Sequence, residues 1–292
     1  MAEYRTENLN SFDDFVDAVE GLKAQTPALR AKRPYVRVPE LLFRGQREAT
    51  WTLETTLERY NPASLSLGSY YTSIWAAKSQ IEAHTGQRWE IEAPNTYRDK
   101  ARDSDAGFAF KADFPGYDYM CYLRHHGFPS PLLDWTRSPY IAAFFAFRHA
   151  ADPNGRVAIY AYRETDGTGK AGMLGAPGID VRGPYVRTHR RHFLQQCQYT
   201  ICMQYVGIGE PLAEWRYASH EAVFGGQSGP MQGGLMFGGQ DQLWKFTLPR
   251  SERAKVLAYL DEHNLNAYSL FGSDDTLMEM MARRELLTKS GD

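Results

Sequence analysis

Residues 138–147 read SPYIAAFFAF, and this stretch decides the centre of the fold. Ser138 is a favourable helix cap and Pro139 suits the first helical position, so a helix is predicted to begin here. The residues that follow are apolar on nearly every side of such a helix. A helix without a polar face must be surrounded by other elements, so we predict that it is central and buried.

On the N-terminal side, Ser11 can cap a first helix whose apolar residues, from Phe12 to Leu22, recur at helical spacing. Gly21 is placed near the end of that helix, and residues 30–39 form a basic, proline-bounded loop. Residues 41–43 form a short apolar strand that ends at Arg44-Gly45-Gln46. The pattern then weakens, and we interpret residues 61–119 as an irregular, helix-containing insertion.

On the C-terminal side, alternating apolar residues predict further strands, at 156–162, 199–206, 243–248 and 266–271. Residues 167–183 and 225–239 are glycine-rich and predicted to be loops. A helix follows Pro249, and Ser273 begins the last one. Because strands and helices mix without a βαβ rhythm, we predict an α+β fold, as a single domain spanning 1–292.

Composition excludes several classes of protein. The chain has 292 residues and a formal net charge of −2, and no apolar run is long enough to cross a membrane. The N-terminus lacks the layout of a signal peptide, so a cytoplasmic location is expected. The P-loop, GxSxG and HExxH motifs do not occur. Three cysteines without CxxC spacing favour neither a disulfide framework nor structural zinc.

Three stretches carry candidate chemistry. Arg44, beside a glycine that would let a ligand approach, suits a phosphate or carboxylate, although pairing with a buried acid explains it equally well. Residues 125–138 place polar groups before a helix whose first N–H groups can bind an anion, and plain capping by Ser138 is the simpler reading. His125 and His126 are a weak metal pair because adjacent side chains point apart.

The third stretch, residues 187–200, contains the most basic window of the chain. It can contact phosphates of a nucleic acid, and a solvated basic loop is the alternative. Cys197 with His192 is a weak match to a nucleophile and its base, because a nucleophilic thiol needs a lowered pKa.

Together these stretches resemble the FRG domain, a bacterial family named after its Phe-Arg-Gly motif. The resemblance rests on residues 43–46 with Trp51 and Leu53, on residues 125–136, and on Arg191 through Thr200. Pro131 stands where the family commonly has Arg, and Cys197 where Gly is usual. The resemblance spans about residues 10–290, apart from the predicted insertion.

The order of elements is also similar to that of ADP-ribosyltransferases of the Arg–Ser–Glu type. That resemblance implies a split β-sheet core surrounded by helices, with NAD as substrate. Arg44 matches the arginine that holds the NAD phosphates, and residues 135–138 match the strand that leads into a helix. Gln195 or Gln196 matches the late Glu, with Glu210, Glu214 and Glu221 as rivals, and Trp135 or a tyrosine would stack on the nicotinamide.

The implied site divides into three groups of residues, and no metal is expected. The catalytic group is Arg44, Gln195 and Gln196. The residues implied to bind NAD are Arg44, Gly45, Gln46, His126, Asp134, Trp135, Thr136 and Ser138. The residues implied to contact the nucleic acid are Arg187, Arg190 and Arg191.

The implied function is a toxin or phage-defence effector that transfers ADP-ribose to a nucleic acid, with RNA preferred. Its implied partners are an antitoxin protein and a dedicated chaperone, without a membrane. The alternative is a non-catalytic sensor or nucleic-acid-binding module that uses the same pocket.

Overall fold

The computed structural model describes residues 3–32, 38–61, 65–97, 116–150, 152–165, 175–183, 190–207, 214–225 and 240–287. Eight strands form its sheet: β1 Glu3–Asn8, β2 Leu42–Gln46, β3 Leu133–Thr136, β4 Arg156–Thr165, β5 Gly178–Arg182, β6 Cys197–Val206, β7 Glu214–Tyr217 and β8 Gln240–Pro249. Their order is β1-β8-β4-β2-β3-β6-β5, and β7 also pairs with β6. Strands β1 and β8 run parallel, and the other described pairs are antiparallel.

Helices pack against this open mixed sheet, so the predicted α+β class is confirmed. They are α1 Phe12–Lys32, α2 Thr56–Tyr60, α3 Leu67–Thr85, α4 Tyr117–His125, α5 Pro139–Phe147, α6 Arg190–Leu194, α7 Ala222–Gly225, α8 Arg253–Glu262, α9 Ala267–Phe271 and α10 Asp274–Ala282. Within the described residues, no helix combines the length and apolar character that crossing a bilayer requires.

The predicted central helix is confirmed as α5. Its first turn is capped by Ser138, whose hydroxyl accepts the N–H of Ile141 at 3.3 Å, and seven of its nine residues are buried. Phe144 and Phe147 pack into a core shared with α1, α8 and one face of the sheet. Burying each large apolar side chain contributes about 1.5–3 kcal/mol, so this contact is a major source of stability.

The sheet opens between its two middle strands. Strands β2 and β3 are paired at one position, Phe43 with Thr136, whereas β2 and β4 share five paired positions and β3 and β6 share four. Beyond Phe43 the two strands therefore part, and residues 44–46 face residues 133–135 across a gap.

Three predictions of helices, strands or loops are wrong in detail. Residues 266–271 form α9 instead of a strand, because the Asn266 side chain caps the backbone N–H of Ser269 at 2.9 Å and Gly272 ends the helix with a positive φ of 66°. The loop predicted at 167–183 contains β5. Helix α1 runs past Gly21 to Lys32, into the predicted loop at 30–39.

Several predictions fall partly outside the described residues. Residues 62–64 and 98–115 of the predicted insertion lie outside them, as do residues 167–174 and 226–239 of the predicted loops. The described part of the insertion contains α3, a 19-residue helix capped by Ser66. Its buried Tyr70, Tyr71 and Ile74 pack against α4 and β6 in a second core.

Candidate anion-binding site

A cavity of about 400 Å³ lies where β2 and β3 part, within the size range of small-molecule sites. All three stretches singled out in the sequence contribute to it. Residues 43–46 come from β2, residues 134–136 from β3, and Arg191 with Gln195 from the region of α6. Tertiary structure thus gathers Arg44 and Gln195, which are 151 residues apart in the chain.

Arg44 lies within β2, opposite Tyr160 of β4, and not at a strand end as the sequence predicted. Its Nη1 donates a 2.7 Å hydrogen bond to the main-chain oxygen of Asp134, so the guanidinium joins the two strands across the gap. Its Nε is buried and has no hydrogen-bond partner among the described residues. Burial lowers the pKa of Arg44 to about 10, which leaves the guanidinium charged at neutral pH.

Asp134 faces Arg124, from the last turn of α4. Arg124 Nε donates to one carboxylate oxygen at 3.3 Å, and its Nη2 forms an ion pair with the other. Burial alone would raise the pKa of Asp134, but Arg124 and Arg44 hold it below its ordinary value. The acid is therefore ionised and already paired with an arginine.

The cavity has a strong excess of positive charge. Among the described lining residues Asp134 is the one carboxylate, and five are arginines: Arg44, Arg47, Arg59, Arg124 and Arg191. With histidines neutral, the lining carries a net charge of +4. Guanidinium groups present planar pairs of N–H donors that match phosphate and carboxylate oxygens. This balance suits a ligand with at least two negative charges.

Gly45 has a packing role that the sequence did not reveal. A Cβ at this position would overlap the main-chain oxygen of Ala142 and lie 2.7 Å from the nitrogen of Ala146. The missing side chain is what lets α5 approach β2, rather than what lets a ligand approach Arg44. Gln46 donates to the Thr52 oxygen at 3.0 Å, while its buried Oε1 has no partner among the described residues.

The segment from Trp135 to Ser138 supports the site from behind. The Trp135 indole is 3% exposed and donates to Thr200 Oγ1 at 2.8 Å, which leaves no face for stacking on a ligand. Thr136 Oγ1 donates to the Gln195 oxygen at 2.8 Å. Ser138 caps α5 and does not belong to the described lining.

Other aromatic side chains do reach the cavity. Trp51 is 39% exposed and lines it, with the Arg47 guanidinium 4.9 Å from the ring centroid. Phe271 also lines it, and the guanidinium of Arg191 lies 5.4 Å from its ring. These rings, and not Trp135, are available to stack on a planar ligand group.

Gln195 and Gln196 occupy different environments. The Gln195 amide donates to the Leu270 oxygen at 3.1 Å, and its Oε1 lies 3.8 Å from the Cys197 sulfur, so both ends of this side chain are engaged. Gln196 is exposed, has a φ of 49°, and is absent from the described lining. Of the two, only Gln195 is a wall of the cavity.

Two of the rival acids, Glu214 and Glu221, are described, and both lie outside the lining of the cavity. Glu221 accepts the main-chain N–H of Leu53 at 3.0 Å, and Glu214 pairs with Arg216. Neither belongs to the described lining, and Glu210 lies outside the described residues. The structure therefore brings none of these described glutamates to the position that the resemblance implied.

The two adjacent histidines face different sides, as expected for neighbouring residues. His125 lines the cavity, whereas His126 lies in a second, mostly apolar groove between α3 and α4. The sequence predicted His126 in the NAD site, whereas the structure places His125 in the lining of the cavity.

The basic window leads to the molecular surface beside the cavity. Arg190 is exposed on α6, Arg191 lines the cavity, and Arg187 lies outside the described residues. Phe193, between them and Gln195, is 82% exposed. An exposed aromatic ring beside arginines is a common arrangement for stacking an unpaired base.

The thiol of Cys197 is unsuited to attack. Burial raises its pKa to about 12, so it stays protonated at neutral pH. This weakens the nucleophile alternative further.

Sequence reasoning missed several lining residues as members of the site, among them Arg47, Trp51, Arg59, Arg124 and Phe271. Arg47 directly follows the motif at 43–46, and that adjacency was a usable signal. Arg59 and Arg124 flank the weakly patterned segment at 61–119, where periodicity gave no faces. Their convergence depends on how α2 and α4 pack.

Residues 39–155 match the family model of the FRG domain. The match supports the resemblance to the FRG family, and the Phe43-Arg44-Gly45 motif lies inside it. The matched span runs through residues 61–119, which we predicted to be an insertion, and ends before the block from Arg191 to Thr200. Neither a curated protein nor a solved structure matches the chain.

Proposed function

We propose that this protein binds NAD in the arginine-lined cavity and transfers its ADP-ribose to a nucleic acid, with RNA as the acceptor. The observation that carries the proposal is the charge of the cavity: five arginines against one carboxylate that is already paired. The pyrophosphate of NAD carries two negative charges at neutral pH. Charge-assisted hydrogen bonds from guanidinium groups are the strong way to hold it.

Arg44 is the proposed clamp. One of its nitrogens is committed to the Asp134 oxygen, which fixes the plane of the guanidinium, while Nε retains an unused donor. Trp51 and Phe271 then offer faces to the planar ends of the dinucleotide. Since Arg44 is held by the sheet and Phe271 by α9, the ligand would meet two of these groups already in place.

The arrangement of elements supports the likeness to ADP-ribosyltransferases. Arg44 lies on one middle strand, and the other, β3, leads directly into the buried helix α5. Seven of the eight strands form one path and β7 pairs with β6 beside it, but β2 and β3 share a single paired position, so the sheet is nearly divided at the cavity. We take this parting as the counterpart of the split sheet.

In the proposed reaction the bond between nicotinamide and ribose C1′ breaks, and its electron pair leaves with nicotinamide. An acceptor oxygen or nitrogen forms the new bond to C1′ and releases its proton to solvent. The chain contributes mainly by holding NAD and by orienting the acceptor. Gln195 is assigned to positioning, because its amide ties the cavity wall to Leu270.

The surface around α6 supports a nucleic acid as acceptor. Arg190 and Phe193 are exposed, and Arg191 connects them to the cavity. Positive side chains hold the phosphates of a strand, while an exposed ring stacks an unpaired base. We therefore favour a single-stranded acceptor.

One observation favours the alternative of a non-catalytic sensor or nucleic-acid-binding module. Transferases of the Arg–Ser–Glu type use a late acid, and the described lining offers no carboxylate other than the paired Asp134. A cavity with this charge also binds phosphates without chemistry.

The two functions separate in one experiment. The purified protein is incubated with NAD labelled in the adenylate moiety and with single-stranded RNA, single-stranded DNA or protein, and both covalent label and free nicotinamide are measured. Label on RNA with equal release of nicotinamide supports the transferase. Salt-sensitive RNA binding without label would establish the binder instead. Arg5→Ala, on exposed β1, is the matched control for Arg44→Ala.

The biological role as a toxin or phage-defence effector, held in check by an antitoxin and assisted by a chaperone, extends the same proposal. It requires that expression arrests growth of a bacterial host and that loss of Arg44 relieves the arrest. Growth arrest that persists undiminished without Arg44 would disconnect the toxicity from this cavity.

A further inference from the structure

A cluster of potential metal ligands lies at the α6 side of the cavity. His125, His192 and Cys197 each place a ligand atom within 4.8 Å of the others. They come from three elements: the last residue of α4, the middle of α6 and the first residue of β6. His192 and Cys197 are buried, and His125 and Cys197 line the cavity.

The two imidazoles converge on one point. The Tyr199 hydroxyl lies 2.7 Å from Nε2 of His125 and 3.3 Å from Nδ1 of His192. The ring centroids of the two histidines are 6.3 Å apart. Each ring therefore directs a nitrogen toward the Tyr199 hydroxyl, which the sulfur of Cys197 also approaches, so an ion held by the three donors would replace these hydrogen bonds.

The spacing is close to what a tetrahedral metal requires. With zinc–nitrogen bonds of about 2.0–2.1 Å and zinc–sulfur bonds of about 2.3 Å, neighbouring donors lie roughly 3.3–3.7 Å apart. The three donors lie within 4.8 Å of one another and would need to close by about 1 Å to bind the ion.

We propose that His125, His192 and Cys197 bind one zinc ion, with the fourth position directed to the cavity. Imidazole and thiolate are ligands that select zinc among the common divalent ions. Binding replaces the Cys197 proton, so the thiolate offsets one of the two charges of the metal.

Such an ion would tie α4, α6 and β6 together. Helix α4 carries Arg124, α6 carries Arg191, and β6 begins two residues after Gln195. The metal would therefore hold this wall of the cavity in place. The inference does not depend on NAD or on any transfer reaction. It adds a bound ion where the sequence offered only the adjacent pair of His125 and His126.

The test is titration of the full-length, metal-free protein with zinc and with cobalt(II), followed by elemental analysis after gel filtration. We expect one ion per chain, a sulfur-to-cobalt charge-transfer band, and a higher melting temperature with zinc. Cys197→Ser should abolish the charge-transfer band, and Cys197→Ser and His192→Ala should each weaken zinc binding by at least about tenfold.

The chain provides matched controls for both kinds of ligand. Cys202→Ser changes another buried thiol, and His126→Ala changes the neighbouring histidine that faces the other groove. Both should bind zinc as the parent does. Sub-stoichiometric zinc in the parent, or equal loss in Cys202→Ser and Cys197→Ser, would overturn the site. Melting curves in chelator separate lost ligands from lost folding.

Discussion

Replacing Arg44 by lysine is the most informative change in the cavity, because it retains the positive charge and removes the fork of donors. In the parent, Nη1 holds the Asp134 oxygen at 2.7 Å while the buried Nε has no partner among the described residues. A lysine has one nitrogen for both tasks. It can keep the bridge between β2 and β3 or bind a phosphate, but its geometry does not allow the paired contact.

The expected size of the effect follows from the bonds lost. A hydrogen bond to a charged group contributes about 1.5–3 kcal/mol, so Arg44→Lys should weaken NAD binding roughly 10- to 100-fold. Because charge and one donor remain, the free energy of unfolding should fall by less than about 1 kcal/mol. Arg44→Ala would also leave the Asp134 oxygen without this donor, which adds a cost of about 1–3 kcal/mol.

Two measurements check this expectation together. Calorimetric titration gives the dissociation constant for NAD, and urea unfolding gives the free energy of unfolding. Arg5→Lys, on the exposed side of β1, should change neither. Parent-like NAD affinity in a stable Arg44→Lys protein would refute the role of Arg44 as clamp. A loss of several kcal/mol of stability in that variant would show that its bridging role dominates.

Two further changes test the framework of the site by urea unfolding. Gly45→Ala should destabilise the protein by about 2–4 kcal/mol, because its Cβ would overlap the oxygen of Ala142, whereas Gly21→Ala, with open space around it, should stabilise by about 0.5–1 kcal/mol; equal effects would contradict the close approach. Glu279→Gln should cost about 0.5–1 kcal/mol at pH 7. Hydrogen bonds from Arg148 hold the pKa of Glu279 below its ordinary value. The stabilisation from this ion pair is therefore present above the unfolded pKa of about 4.3 and is lost as pH falls through the folded pKa. An unchanged cost of Glu279→Gln at pH 3 would exclude the ion pair as its cause.

The sequence predicted the elements whose signals are local. The caps at Ser11 and Ser138, the apolar run of α5 and the strands β4, β6 and β8 were recognisable because capping and periodicity act over a few residues. Residues 266–271 were misread because a six-residue apolar pattern fits a strand and a short helix equally well. The cap from Asn266 to Ser269 decided between them.

The candidate site was predicted in part. Motifs at 43–46 and 134–136, with Arg191, named three walls that the fold brings around one cavity. The sequence did not predict what each residue in those walls contacts. Whether Trp135 stacks on a ligand or on the core depends on the face of β3 it occupies, and a residue pattern of four positions does not fix that face.

What the sequence alone determined is the presence of an arginine beside a glycine on a buried strand, a capped apolar helix, and a basic stretch near α6. These features follow from the chemistry of neighbouring residues. The tertiary structure decided that β2 and β3 part beyond Phe43, that Arg44 spans the gap, and that Arg59 and Arg124 join it. Charge density in a cavity and convergence of ligands such as His125, His192 and Cys197 are sums over distant elements, so only their packing creates them.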